Sequence, residues 1–314
     1  TAVGGLALQS TTTGIDNVGV GYAALNSNTT ASNNTAVGNK ALNLNTTGTR
    51  NVAVGSLALD ANTTANDNVA VGYDAGTANT TGTQNTIVGT YAFDANTTGS
   101  NNVAVGRAAL SANTTASNNT AIGHQTLEQN TTGAQNTAVG ALAGDALTTG
   151  DSNTAIGYVA LTSDTKGERA IAIGEGALFT QNFTSETNNY NVAIGYNAGY
   201  SMTTGIQNTA IGGLALDANT TGGNNTALGM GALGNATTAN SNTAVGLNAS
   251  VGNTTGSGNV SVGQDTLFAA TTADNNVAVG KGAGVAVTTG EQNTILGEAS
   301  AEVLTTGNDN IAIG

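Results

Sequence analysis

Residues 34–50 read Asn34-Thr35-Ala36-Val37-Gly38-Asn39-Lys40-Ala41-Leu42-Asn43-Leu44-Asn45-Thr46-Thr47-Gly48-Thr49-Arg50, and Asn51-Val52-Ala53-Val54-Gly55 begins the same phrase again. The glycine that closes each Ala-Val/Ile-Gly triplet recurs from Gly4 to Gly314, and seventeen of its eighteen intervals are 17 residues long. The exception, Gly174 to Gly195, is 21. A short fixed period means one supersecondary unit stacked on itself. Seventeen residues are too few for a helix pair or a propeller blade. Asn, Thr and Gly dominate, and no apolar stripe of helical spacing is present, so each repeat is predicted to be one coil of a parallel β-solenoid.

Positions are counted here from the marker glycine. Position −1 is always a branched aliphatic (Val37, Val54, Ile122, Leu228), position −3 is β-branched, and position −2 is nearly always Ala, with Ile87 and Ile295 as bulky exceptions. This alternation predicts a short strand, large side chains on one face and small ones on the other. Two apolar faces imply that both are covered, which places the Val/Ile column, Val139 included, inside. Ala, Thr or Ser at +3, usually followed by Leu at +4 (Ala41-Leu42, Ala58-Leu59), predicts a second short strand.

Polar positions repeat as well. Asn stands at −4 in every unit except at Ala170, Thr at +8 in every 17-residue unit, and Gly or Ala at +10. Stacking aligns them into columns in which an Asn amide can bond its copies above and below. Asn and Gly also tolerate the left-handed backbone of tight corners. The recurring Asn-x-Thr triplets at Asn28, Asn45, Asn62, Asn79, Asn96 and Asn113 fit this corner chemistry. They would be glycosylation acceptors only on a eukaryote-like secretory route.

The 314 residues carry a formal charge of −13, although only 8% of them are charged. Six Lys and Arg make no basic track for phosphates, so nucleic-acid binding is excluded. There is no Cys and no Pro; thiol and zinc-thiolate chemistry is therefore absent, and no proline interrupts the backbone donors. No apolar run is long enough to span a membrane as a helix. A repeat array is one quasi-linear body, so 1–314 reads as a single array of about 18 coils, roughly 85 Å at ~4.8 Å per rung. Neither end carries a capping unit, so the expectation is a stretch of a longer chain. A coil this thin offers little core, and its small-residue face invites another copy, so a homo-oligomer is expected.

The sequence nominates no catalytic, cofactor-binding or metal-binding residue. His124 is the only histidine and sits in a variable column. Nucleophile elbows, phosphate loops and paired carboxylates are absent. The candidate ligand contacts are the aromatics around the four-residue insertion near 180–190: Phe179, Phe183, Tyr190, Tyr196 and Tyr200. Aromatics on a loop held by a rigid scaffold are a usual place for ligand contact. The competing view is a tolerated insertion whose rings pack over the neighbouring coil. Paired Thr columns (Thr29 and Thr30, Thr46 and Thr47) raise ice binding as a lesser alternative, but consecutive residues point to opposite faces.

With Asn34-Thr35-Ala36-Val37-Gly38, Ala41-Leu42 and Asn45-Thr46-Thr47-Gly48 in view, the chain resembles the tail-fibre-like repeat proteins of phages and bacterial surfaces. It is also similar to the head repeats of trimeric autotransporter adhesins, whose period is shorter. The resemblance covers the whole chain. It implies a homotrimeric, left-handed parallel β-roll in an extracellular, cell-surface or virion setting. The function expected from it is a structural shaft projecting a binding tip. The alternatives are an adhesive module that binds a host glycan or matrix protein through residues 179–200, and a subunit of a continuous filament.

Overall fold

Thr35–Val37 pairs in parallel with Val52–Val54, partners lying 17 residues apart: Thr35 with Val52, Ala36 with Ala53, Val37 with Val54. The same register repeats along the chain, which a computed structural model describes over residues 1–314. The architecture is an all-β parallel solenoid of about 18 coils without a helix. It divides into two compact units, Thr1–Asn153 and Thr154–Gly314. In the first, the ladder runs from Ala2–Val3 to Thr137–Val139; in the second, from Thr154–Ile156 to Ile311–Ile313. Across the 21-residue coil the register steps from Ile171 to Val192 without breaking the ladder.

Each coil after the first, where Ala2–Val3 has two residues, contributes one three-residue strand to this ladder, followed by the marker glycine. Gly72 has φ +142°, and a Cβ there would lie 2.5 Å from the carbonyl oxygen of Gly89 in the next coil. The column therefore excludes every side chain, both by backbone conformation and by backbone-to-backbone approach. The expected second strand at +3 and +4 does not form. Positions +2 and +4 are left-handed instead, as at Lys40 (φ 55°) and Leu42 (φ 50°), and so is −5, as at Arg50 (φ 59°). This run of tight corners brings the chain back in 17 residues. The corners persist because inter-coil hydrogen bonds over-determine them: Lys40 N–H donates to the Tyr22 carbonyl at 2.8 Å and Leu42 N–H to Ala58 at 3.0 Å.

The core is also not where alternation placed it. Ala36, Ala41 and Leu42 are fully buried, as are their equivalents Ala53, Ala58 and Leu59. The −3 and −1 side chains point out; Val69, Val71 and Val88 are 36–37% exposed. Val139 lies in the same outer column and is half-buried, not internal. The physical reason is girth. A 17-residue coil leaves room for methyl groups and one Leu, so the small side of the strand faces in.

Substitutions inside the core compensate one another in volume. Where +4 is Gly instead of Leu, a larger residue enters from a neighbouring position. Ile87 comes within 2.6 Å of where a Gly76 Cβ would stand, and Ile295 within 2.8 Å of the corresponding point at Gly284. Leu147 and Met202, buried in the coils of Gly144 and Gly199, take the +7 position usually held by Asn. Polar exchanges are matched too: Ser250 and Ser261, replacing Leu and Ala, bond each other at 2.9 Å.

Two buried Asn ladders complete the interior. At −4, Asn51 N–H donates to Asn34 Oδ1 at 2.9 Å and Asn51 Nδ2 to the Ala65 carbonyl at 2.8 Å. At +7, Asn62 Nδ2 donates to Asn45 Oδ1 at 2.8 Å and to Ala65 O at 3.2 Å. Buried amides are costly unless bonded, and here each closes a corner of its own coil while linking to the next.

Candidate functional site

The 21-residue coil is tied to a buried carboxylate of the coil before it. Asp164 stands at +7, the position of the second Asn ladder, and is fully buried. Its Oδ1 accepts from the backbone N–H groups of Gly167 and Phe183, both at 3.0 Å, and its Oδ2 from Gln181 Nε2 at 2.7 Å. Burial pushes its pKa above the ordinary carboxylate value; the bonds from Phe183, Gln181 and Gly167 pull the other way. Gln181 in turn accepts from Asn191 Nδ2 at 2.9 Å, so the polar chain runs on into the next coil. The extra residues pair as a short ladder of their own, Gly167–Glu168 against Thr187–Asn188.

The five nominated aromatics separate into three groups. Phe179 and Tyr200 share position +5 of successive coils, and their rings stack with centroids 4.8 Å apart at an interplanar angle of 6°. Tyr190 and Tyr196 are 51% and 56% exposed. Arg169, at the same −5 position one coil earlier, lies 5.9 Å from the centre of the Tyr190 ring, within cation–π range. Phe183 departs from expectation. It is only 6% exposed, because its backbone is drawn in by Asp164, so the ring serves packing and offers no surface for a ligand. The exposed aromatic and cationic groups around this coil are thus two tyrosines and a guanidinium, beside the exposed polar residues Asn182, Thr184, Ser185, Glu186 and Asn188.

Sequence reasoning missed Arg169 and Asp164. Both were visible as register: Arg169 precedes Tyr190 in one column, and Asp164 is a carboxylate in an amide column. The remaining sequence candidates are readily placed. Asn28, Asn45, Asn62, Asn79, Asn96 and Asn113 are all fully buried, and the Nδ2 of Asn28 is bonded to the Ala31 carbonyl at 3.1 Å, as corner chemistry requires. In the +8 Thr column the hydroxyls are engaged, Thr46 Oγ1 donating to the Thr63 carbonyl at 3.0 Å. His124 is exposed beside Arg107, 3.2 Å away. No group of three His, Cys, Asp or Glu side chains is arranged to hold a metal ion, and no helix is long and apolar enough to cross a membrane. A shallow depression of about 290 Å³ lies among Asp265, Lys281, Glu298 and Glu302. The sequence matches no model of a known protein family and no curated protein.

Proposed function

We propose that this chain is a structural shaft: a rigid segment of an extracellular, cell-surface or virion fibre that holds a binding tip away from its base and carries out no catalysis. The observation behind the proposal is where the repetition lies. Most of the columns that recur are consumed by the fold itself: the buried Ala and Leu, the two Asn ladders and the glycine that lets backbones touch. By contrast, the outward +1 column varies freely and includes Tyr22, Asn39, Arg107, His124, Glu175 and Lys281. A chain whose repeated chemistry goes into joining each coil to the next suits a mechanical role. The resemblance to tail-fibre and adhesin-head repeats adds a left-handed, homotrimeric assembly to the proposal.

Electron microscopy of the isolated protein tests it. Uniform elongated particles are expected, and compact or irregular ones would overturn it. Endless filaments would favour the filament subunit instead. The second reading, an adhesive module, draws on the exposed Tyr190 and Tyr196 with Arg169 nearby. Replacing both tyrosines by Ser leaves a shaft's behaviour unchanged but abolishes glycan or matrix binding by an adhesive face.

A further inference from the structure

The strand face that points away from the core is chemically unlike every other exposed surface of the molecule. Over the eighteen three-residue strands, position −1 holds only Val, Ile or Leu and position −3 only Val, Thr or Ile. Not one of the chain's 25 charged residues, six basic and nineteen acidic, lies on it. Yet the face is open: Val69, Val71, Val88, Ile122, Ile171, Leu228, Val277 and Val279 are 36–44% exposed. Strand propensity alone does not account for this. It favours Tyr, Phe and Trp as well, and these never occur there, while the +1 column one residue beyond the glycine accepts almost anything.

We infer that this face is the surface through which copies of the chain pack on one another. The inference rests on the assembly expected of a fibre and specifies where the copies meet. Three observations select a second copy as the occupant. First, area suffices. Alternate strand residues stand ~6.7 Å apart, so with their methyl groups the face is roughly 10 Å wide, and at ~4.8 Å per rung eight rungs of the first unit present about 400 Å² and ten of the second about 500 Å². Two copies facing each other through the second unit alone bury about 1,000 Å² in total, the size at which a specific interface begins. Second, charge directs it. A chain of net charge −13 repels its own copies wherever carboxylates meet, and this face has none. Third, shape matches. Rows of β-branched side chains at a constant repeat are self-complementary, and two such faces interdigitate as in face-to-face sheet packing.

The full-length chain with Val71→Lys, Val105→Lys, Ile194→Lys and Val262→Lys tests this by sedimentation. Because these positions point outward, β-sheet circular dichroism should stay unchanged while the oligomer falls to monomer. Lys at four exposed +9 positions (Thr47, Thr81, Thr221 and Thr255) should leave the oligomer intact; Lys166 already occupies that column. Should the four-Lys variant not fold, a single cysteine decides, since the chain has none of its own. Under mild oxidation Val88→Cys should yield covalent pairs and Thr81→Cys should not. If the unmodified chain is a monomer at tens of micromolar, self-association fails, although a single-chain shaft would survive. If it is oligomeric but the Lys variant remains so, or Thr81→Cys cross-links as well as Val88→Cys, the assembly stands and this face is the wrong one.

Discussion

The exchange of volume between Gly76 and Ile87 yields a sharp prediction. In most coils Leu at +4 fills the space beside Ala at −2. Around Gly76 the Leu is missing and Ile87 enters instead, fully buried. Truncating Ile87 to Ala opens a cavity with nothing to fill it, at a cost of about 2–5 kcal/mol. Placing Leu at Gly76 alone forces a side chain into occupied space, since even its Cβ would stand 2.6 Å from Ile87 Cδ1 and 3.2 Å from Leu59 Cδ2; such overpacking costs about 1–3 kcal/mol. The double variant restores the arrangement of Leu59 and Ala70, at a backbone conformation (φ +60°) close to that of Leu59 (φ 52°). It should therefore lie within about 1 kcal/mol of the parent, a favourable coupling of at least about 2 kcal/mol. Urea unfolding, with hydrogen exchange around 70–93 to confirm that the same coils open, measures all three variants. Additive costs, leaving the double variant the least stable, would refute the idea that Ile87 occupies the absent leucine's volume.

Stability should rise as pH falls from neutral towards 4. Burial raises the pKa of Asp60, Asp94, Asp164 and Asp217, so their contribution is full below the ordinary carboxylate value and is lost as pH rises through the raised values. Asp67, lowered by its bond to Arg50, works in the opposite sense only as pH falls below that ordinary value. A urea midpoint at pH 4 no higher than at pH 7 would contradict this. Val159 is the one β-branched residue among the left-handed non-glycine positions (φ 50°), so Val159→Asn should raise the unfolding free energy by about 0.5–1 kcal/mol of relieved strain. Asn68→Ala removes a fully buried amide that accepts from Asn85 N–H and donates to the Gly82 carbonyl; Gly82 keeps its bond from Asn79 Nδ2, but the buried Asn85 N–H is left unpaired, which should cost about 1–3 kcal/mol by the same assay. Val139→Asp, on the outer strand face, should cost only about 1 kcal/mol of strand preference in folding, not the several of an unpaired buried charge.

The candidate site was partly legible. Counting from the glycine puts Phe179 directly beneath Tyr200 and Arg169 beneath Tyr190, because a ladder in register turns sequence spacing into vertical neighbours. It could not show that Phe183 is inside. That follows from Asp164 drawing in the Phe183 backbone, a contact across an insertion whose path no period specifies.

For the architecture, the residues alone determined the 17-residue coil, the parallel stacking, the Asn columns and the glycine seam, since each depends only on what repeats along the chain. Which side of the strand faces inward was a matter for the tertiary structure. Alternation separates Ala36 from Val37 but carries no sign, and large-side-in is the usual guess. Only the closed coil, turned back by left-handed corners such as Lys40 and Leu42, sets an interior with room for about one large side chain per coil, a place the +4 Leu usually takes. That narrowness puts the methyl groups of Ala in the core and turns the larger aliphatics outward.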